Sequence, residues 1–386
     1  MTHKLLPSVF VAVSAFALTA ACSRQSRISD SDSAARSLSV HAPEADDLTP
    51  AAWAWADSVM ATMTLEQMAG QTVMPASYAR DDDATLHLLH SYIADCKVGG
   101  VAFHKGDTLS MRQLSDTLRS LSALPLFLAI DAENGLGMRL EGAVTYPLNY
   151  KLTQASEQSM YDYGSEVGRE CEAVGINMVF GPVLDVAPGP GWYMYRRSFG
   201  PDPARVADLG LAYARGLEDS GIMPVGKHFP GHGYTRTDPH VWLPVIDRPE
   251  AEFRAVDLLP FSRYVEQGFP ALMAAHVAVP SLSGDSLPAD FSPAIIGGLL
   301  RGEMRFDGLV ISDAVNMGAV RSVEGGDMPP AVQALRAGVD IILAPHDTRQ
   351  AIRQILAAVE SGALPASDLR EHCRRILFYK YLNLRR

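Results

Sequence analysis

The sequence predicts an α/β chain wound into a TIM-type (β/α)8 barrel with a single domain. Three observations carry that expectation. Eight short apolar runs recur along the chain, separated by longer stretches in which apolar residues return at helical spacing. The runs are apolar almost throughout, as strands are when a parallel sheet is covered by helices on its faces. Five runs end at or near an ionisable side chain, and in a barrel those ends gather at one mouth.

The elements follow in chain order. Lys4 precedes "LLPSVFVAVSAFALTAA", so residues 1–21 read as a signal peptide, too short and wrongly flanked for a membrane span. "LTAAC" resembles a bacterial lipoprotein cleavage box, with Thr19 where leucine is usual. Cys22 is therefore expected to be lipidated and to tether the protein to a membrane. Residues 22–47 are rich in Ser, Asp, Arg and Ala and cannot bury enough surface to offset ordering, so they read as a flexible tether. Residues 48–386 have uniform composition and form the expected domain.

Within it the runs are "GQTVMPA" (70–76), "VGGVAFH" (98–104), "PLFLAID" (125–131) and "INMVFGPVLD" (176–185). Then come "IMPVGKH" (222–228), "ALMAAHV" (271–277), "GLVISD" (308–313) and "VDIILAP" (339–345). Between the fourth and fifth runs, "DPARVADLGLAYARGLEDSG" places Val206, Leu209, Tyr213 and Leu217 near one helical face, with Gly221 as a stop. An open doubly wound sheet is the rival topology. No Gly-x-Gly-x-x-Gly follows an early run, which counts against a dinucleotide-binding version.

Composition excludes some partners. The 386 residues carry a formal net charge of -11, and basic residues gather only mildly in the closing "CRRILFYKYLNLRR", so no nucleic acid is expected. Cys96, Cys171 and Cys373 lack C-x-x-C spacing and are expected as small apolar residues of the interior.

The chemistry concentrates in "KHFPGHGYTRTDPH", residues 227–240, where two glycines and two prolines rule out a helix. His228, His232 and His240 crowd one loop, but no H-E-x-x-H spacing exists and Lys227 would repel a cation, so neither metal nor cofactor is expected. A Gly-x-Ser-x-Gly elbow and a Walker loop are also missing. Glycoside cleavage fits better, because it needs one ionised carboxylate and one proton donor at the leaving oxygen. Asp313 ends a wholly apolar run, where a short carboxylate is rigidly held. His240 can supply the proton, with Asp238 fixing its tautomer and stabilising imidazolium. On pattern alone, a loop-capping Asp238 beside a surface His240 explains the same residues equally well.

"KHFPGHG" followed by "DPH", with "GLVISDAVNM", "AIDAENGLGMRL", "FGPVLDV" and "RRSFG" in order, resembles the single-domain β-N-acetylglucosaminidases of glycoside hydrolase family 3. The resemblance runs through nearly all of residues 55–345. It implies a retaining hydrolase on a (β/α)8 barrel that removes terminal β-linked N-acetylglucosamine (GlcNAc) from cell-wall fragments, muropeptides or related glycans. By the same resemblance Asp313 is the nucleophile and His240 the acid/base paired with Asp238. Asp131, Arg139, Arg197, Lys227 and His228 then bind the sugar. Pro239 stands where the family loop usually has serine, and Asn134 stands where relatives carry glycine or tryptophan. Asp185 is expected to support the Lys–His pair and His276 to line the cleft. Trp192, Tyr193 and Tyr195 are expected either to stack on a glycan or to pack internally.

Two competing readings stand beside a hydrolase. One is a β-GlcNAc or β-glucoside phosphorylase of the same fold; the other is a non-catalytic sugar-binding lipoprotein. The expected location is outside the cytoplasm, on the periplasmic side or at the cell surface, and the expected assembly is a monomer.

Overall fold

In the computed structural model, which describes residues 48–322 and 328–383, the apolar runs become the strands of a parallel barrel. The expected signal peptide, tether and lipidated Cys22 lie outside the described residues. The strands are β1 (Val73–Met74), β2 (Ala76–Ala79), β3 (Gly100–Asp107), β4 (Phe127–Ile130) and β5 (Leu140–Glu141). They continue as β6 (Met178–Val179), β7 (Met223–Phe229), β8 (Ala271–Ala274), β9 (Leu309–Ser312) and β10 (Ile342–Leu343). β1 and β2 occupy one barrel position interrupted at Pro75, which has no N–H for the ladder. Short β5 pairs with the end of β3.

Parallel pairing follows the order β2–β3–β4–β6–β7–β8–β9. The ring then closes through β10. Ile311 of β9 bridges Ile341, and β10 pairs with β1, Val73 opposite Ile342 and Met74 opposite Leu343. Ser312 N–H donates to the Ile341 carbonyl at 2.9 Å and Ala344 N–H to that of Met74 at 2.8 Å. The chain forms the barrel and not the open rival sheet.

Neighbouring side chains alternate between two apolar compartments, which is why the runs lack polar alternation. Phe127, Ala129, Ala271, Met273, Leu309 and Ile311 pack together inside the ring. Leu128, Ile130, Leu272, Ala274 and Val310 join the outer core shared with the helices. The run at 176–185 is regular only over β6, because Pro182 interrupts the ladder before Val183 rejoins it opposite Lys227.

The helix expected after the fourth run spans Pro203–Asp219 and starts at Asp202, whose carboxylate accepts the Ala204 and Arg205 N–H groups. Val206, Leu209, Tyr213 and Leu217 are all buried on it. The last helix, Ala366–Asn383, lies under the N-terminal ends of the strands and inserts Ile376 into the barrel interior. Cys96, Cys171 and Cys373 are buried free thiols, as expected. Among the described residues no helix is long and apolar enough to cross a membrane.

Candidate active site

At the C-terminal ends of the strands lies a cleft of about 510 Å³. It is lined by Asp131, Arg139, Arg197, Lys227, His228, His240 and Asp313. Asp238, the remaining residue expected to do chemistry, stands behind His240. Among the described residues, no group of three or more His, Cys, Asp or Glu is placed to hold a metal ion.

One wall is a lattice of alternating charge. β4 ends just before Asp131, and Glu133 follows two residues later. Lys227, at the C-terminal part of β7, donates to Asp131 Oδ1 at 2.6 Å and contacts Glu133 Oε1 at 2.7 Å. Arg139 pairs with the other Asp131 oxygen. Arg197 grips Glu133 with two bonds, Nε to Oε2 at 2.9 Å and an amino group to Oε1 at 2.6 Å. Burial opposes charge on both carboxyls, but Lys227 and Arg139 hold Asp131 well below the usual carboxylate range, and Arg197 and Lys227 do the same to Glu133. The lattice is not saturated. Arg139 Nε and both ring nitrogens of His232 are buried without a partner among the described residues. Such groups are what a polyhydroxylated ligand can satisfy.

His228 follows Lys227 across a cis peptide bond. Its Nδ1 lies 2.7 Å from Asp185 Oδ2, and its Nε2 lies 3.2 Å from an Arg197 amino group. Asp185 is fully buried and also accepts the His232 N–H at 2.7 Å, so it pins both ends of the "HFPGH" turn. Of the expected Lys–His pair, Asp185 contacts His228. The turn packs closely: a Cβ on Gly233 would stand 1.9 Å from the Val186 carbonyl, so no side chain fits there.

Asp313 follows β9 at the floor of the cleft. Its N–H donates to the Ala274 carbonyl at 2.9 Å, and its Oδ1 accepts the Ala314 N–H at 2.8 Å. Burial alone would raise this carboxyl, but His228, His276, the Ala314 N–H and Lys227 outweigh it and hold Asp313 below its ordinary value.

His240 stands on the loop after β7 with 64% of its side chain exposed. Asp238 Oδ1 accepts its backbone N–H at 2.9 Å and faces its Nδ1 at 2.8 Å, so Nε2 is the ring nitrogen turned away from that carboxylate. The loop is docked on the segment after β9, where Ala319 N–H donates to the Pro239 carbonyl at 2.9 Å and Gly318 N–H to that of His240 at 3.2 Å. A Cβ on Gly318 would stand 2.4 Å from the His240 carbonyl, so the close approach requires glycine. The loop carrying Asp238 and His240 and the segment after Asp313 are thereby tied together.

One expectation changes. His276 does not line the cleft: it is fully buried, with Nδ1 2.8 Å from Asp290 and Nε2 3.0 Å from the Ala314 carbonyl, beneath Asp313. Trp192 and Tyr195 are half-buried against Tyr234 and Tyr150 respectively, while Tyr193 lines the cleft. Glu133 escaped the sequence reading. Its signal was the Asp-x-Glu spacing beyond β4, which returns a second carboxylate to the same wall.

Residues 64–378 match the Glycosyl hydrolase family 3 N terminal domain. The chain is 36% identical over 287 residues to a beta-hexosaminidase of Thioalkalivibrio sulfidiphilus, covering 71% of this chain and 81% of that protein. A solved glycoside hydrolase family 3 beta-N-acetylglucosaminidase from a Paenibacillus species superposes with a TM-score of 0.76 at 33% identity over 83% of this chain, which spans 63% of that protein's length. A beta-glucoside phosphorylase bound to 2FGlc superposes at 0.81 with 23% identity, over 88% of this chain and 62% of that one, a likeness of fold alone.

Proposed function

This chain is a glycoside hydrolase of family 3, and from that premise we propose that it is a retaining exo-β-N-acetylglucosaminidase acting on cell-wall fragments or related glycans. The observation that carries the proposal is the meeting of His240, Asp313 and the Asp131–Lys227–Arg139 lattice in one cleft. Asp313 Oδ2 attacks the anomeric carbon as the bond to the leaving oxygen breaks, and His240 Nε2 gives that oxygen its proton. The glycosyl ester on Asp313 is then cleaved by water, whose proton returns to the neutral imidazole. A histidine suits this cycle because, once neutral, it places no second anion beside the ester. Asp238 holds Nδ1–H through both steps. Asp131, Arg139, Lys227, Arg197 and His228 take the sugar hydroxyls, since paired cations and carboxylates offer donors and acceptors together.

The test is a panel of aryl β-glycosides of GlcNAc, N-acetylgalactosamine, glucose and xylose, assayed with and without inorganic phosphate. The expected result is release of GlcNAc as its β-anomer with no phosphate requirement. GlcNAc 1-phosphate as product would make the enzyme a phosphorylase, and binding without turnover would end the enzymatic reading. The proposal includes export and tethering through Cys22. A lipidated Cys22 at the mature N-terminus by mass spectrometry supports that part, and an unmodified start elsewhere contradicts it.

A further inference from the structure

We propose that Tyr193 is a positioning residue for the Asp238–His240 pair, and that residues 188–196 form a seat for the acid/base loop. The inference rests on the reading of His240 as the acid/base. His240 is exposed on a loop of glycines and prolines, where a free imidazole would spread over several rotamers. A group that must meet a leaving oxygen in line with Asp313 loses rate steeply with such spread.

The restraint is visible in Tyr193 and its neighbours. The Tyr193 hydroxyl lies 3.4 Å from His240 Nδ1. Burial opposes charge on the Asp238 carboxylate beside it, but the His240 N–H, the imidazole and this hydroxyl hold that carboxyl below its ordinary value. Burial and the carboxylates of Asp238 and Asp313 outweigh Arg197 and push this phenol up to about 12, so it stays a donor. The Tyr193 backbone N–H donates to the Thr235 carbonyl at 2.9 Å, and the ring stacks on His232 with centroids 5.5 Å apart. Next to it, Trp192 packs on Tyr234 at 5.5 Å and lies under Arg236 at 5.0 Å. Residues 192–193 thus hold the loop at 232, 234, 235, 236, 238 and 240. Their contact with Asp238 and His240 is the part that bears on proton transfer.

Tyr193→Phe keeps the ring on His232 and removes only the hydroxyl. With a methyl or disaccharide β-GlcNAc substrate, whose leaving group needs the proton, kcat/KM should fall about tenfold, a fraction of a full general-acid contribution. With 2,4-dinitrophenyl β-GlcNAc it should stay within about twofold, because that leaving group departs unprotonated. In an Asp238→Asn background the same change should cost almost nothing, since Tyr193 acts through that carboxylate. Equal losses for both leaving groups, or an undiminished loss in the Asp238→Asn background, would overturn the inference and leave only a packing role. Thermal midpoints of the variants, expected within a few degrees of the parent, separate folding from function. If the parent enzyme releases no GlcNAc, the proposed function fails first; if it does and the leaving-group ratio is unchanged in Tyr193→Phe, only this inference fails.

Discussion

The two ends of the barrel hold the same chemistry in opposite states of completion. At the N-terminal end, Asp340 is fully buried and its capacity is used up. Oδ1 takes His372 Nδ1 at 2.8 Å and Arg375 at 2.5 Å, and Oδ2 takes Arg301 at 2.7 Å and the Val310 N–H at 2.9 Å. At the C-terminal end, Asp131, Glu133 and Asp313 are also ringed by cations, yet they border about 510 Å³ of open cleft, and Arg139 Nε and the His232 ring lack partners among the described residues. A buried carboxylate with its cations is therefore no mark of function by itself. Open volume and unspent hydrogen-bonding capacity distinguish the site from the strut.

Substitutions at the two ends should separate activity from stability. The largest effect belongs to Asp313→Asn, which should lower turnover of any β-GlcNAc substrate by at least about 10³-fold while the protein stays folded. Steady-state kinetics beside a melting curve checks both halves. Next comes His240→Ala, expected to cost about 10²–10⁴-fold on poor leaving groups and far less on dinitrophenyl glycosides. Equal losses across leaving groups would remove His240 from the role of acid.

Asp340→Asn should invert the pattern. It leaves Arg301 without its counterion and Arg375 with Glu371 alone, and should destabilise by about 3–5 kcal/mol in denaturant titration, with kcat of the folded enzyme unchanged within about twofold. Burial opposes its charge, but Arg301, Arg375 and His372 hold Asp340 far below the usual carboxylate range. Its stabilisation is thus complete above the ordinary aspartate value and is lost only as pH falls through the depressed one. A large fall in kcat would break the distinction between the two ends.

The smallest effect on activity concerns Lys380, buried at the same end with its ammonium 2.7 Å from Gln71 Oε1. Burial lowers it to about 7. Between there and the ordinary lysine value of about 10.4 the unfolded chain holds the extra proton, so stability should rise with pH across that window. Lys380→Met should flatten the rise without touching activity.

Much of this was legible in the sequence because burial on both faces imposes an unmistakable apolar run, and strand ends inherit their polar residues in order. Asp131, Lys227, His228 and Asp313 needed nothing more than that logic, joined to the pattern of "KHFPGHG" and "DPH". The short ladder at β6 was hidden, since Pro182 breaks a run whose apolar character continues unchanged. Glu133 was hidden because it lies past the strand, where a carboxylate ordinarily reads as solvated. His276 was misplaced for the converse reason: a strand-end histidine looks cleft-facing until Asp290, fourteen residues on, is seen beneath it. The basic stretch near the C-terminus is also spent on pairs within the chain, Arg375 on the buried Asp340 and Arg374 on Asp57 at the surface. Partners distant in sequence decide those cases.

The decisive measurement is trapping of the covalent intermediate with a 5-fluoro β-GlcNAc fluoride, followed by digestion and mass spectrometry. The account predicts one glycosylated peptide with the sugar on Asp313, lost on standing as activity returns. A label on another carboxylate, or turnover with retention and no label at Asp313, would contradict it.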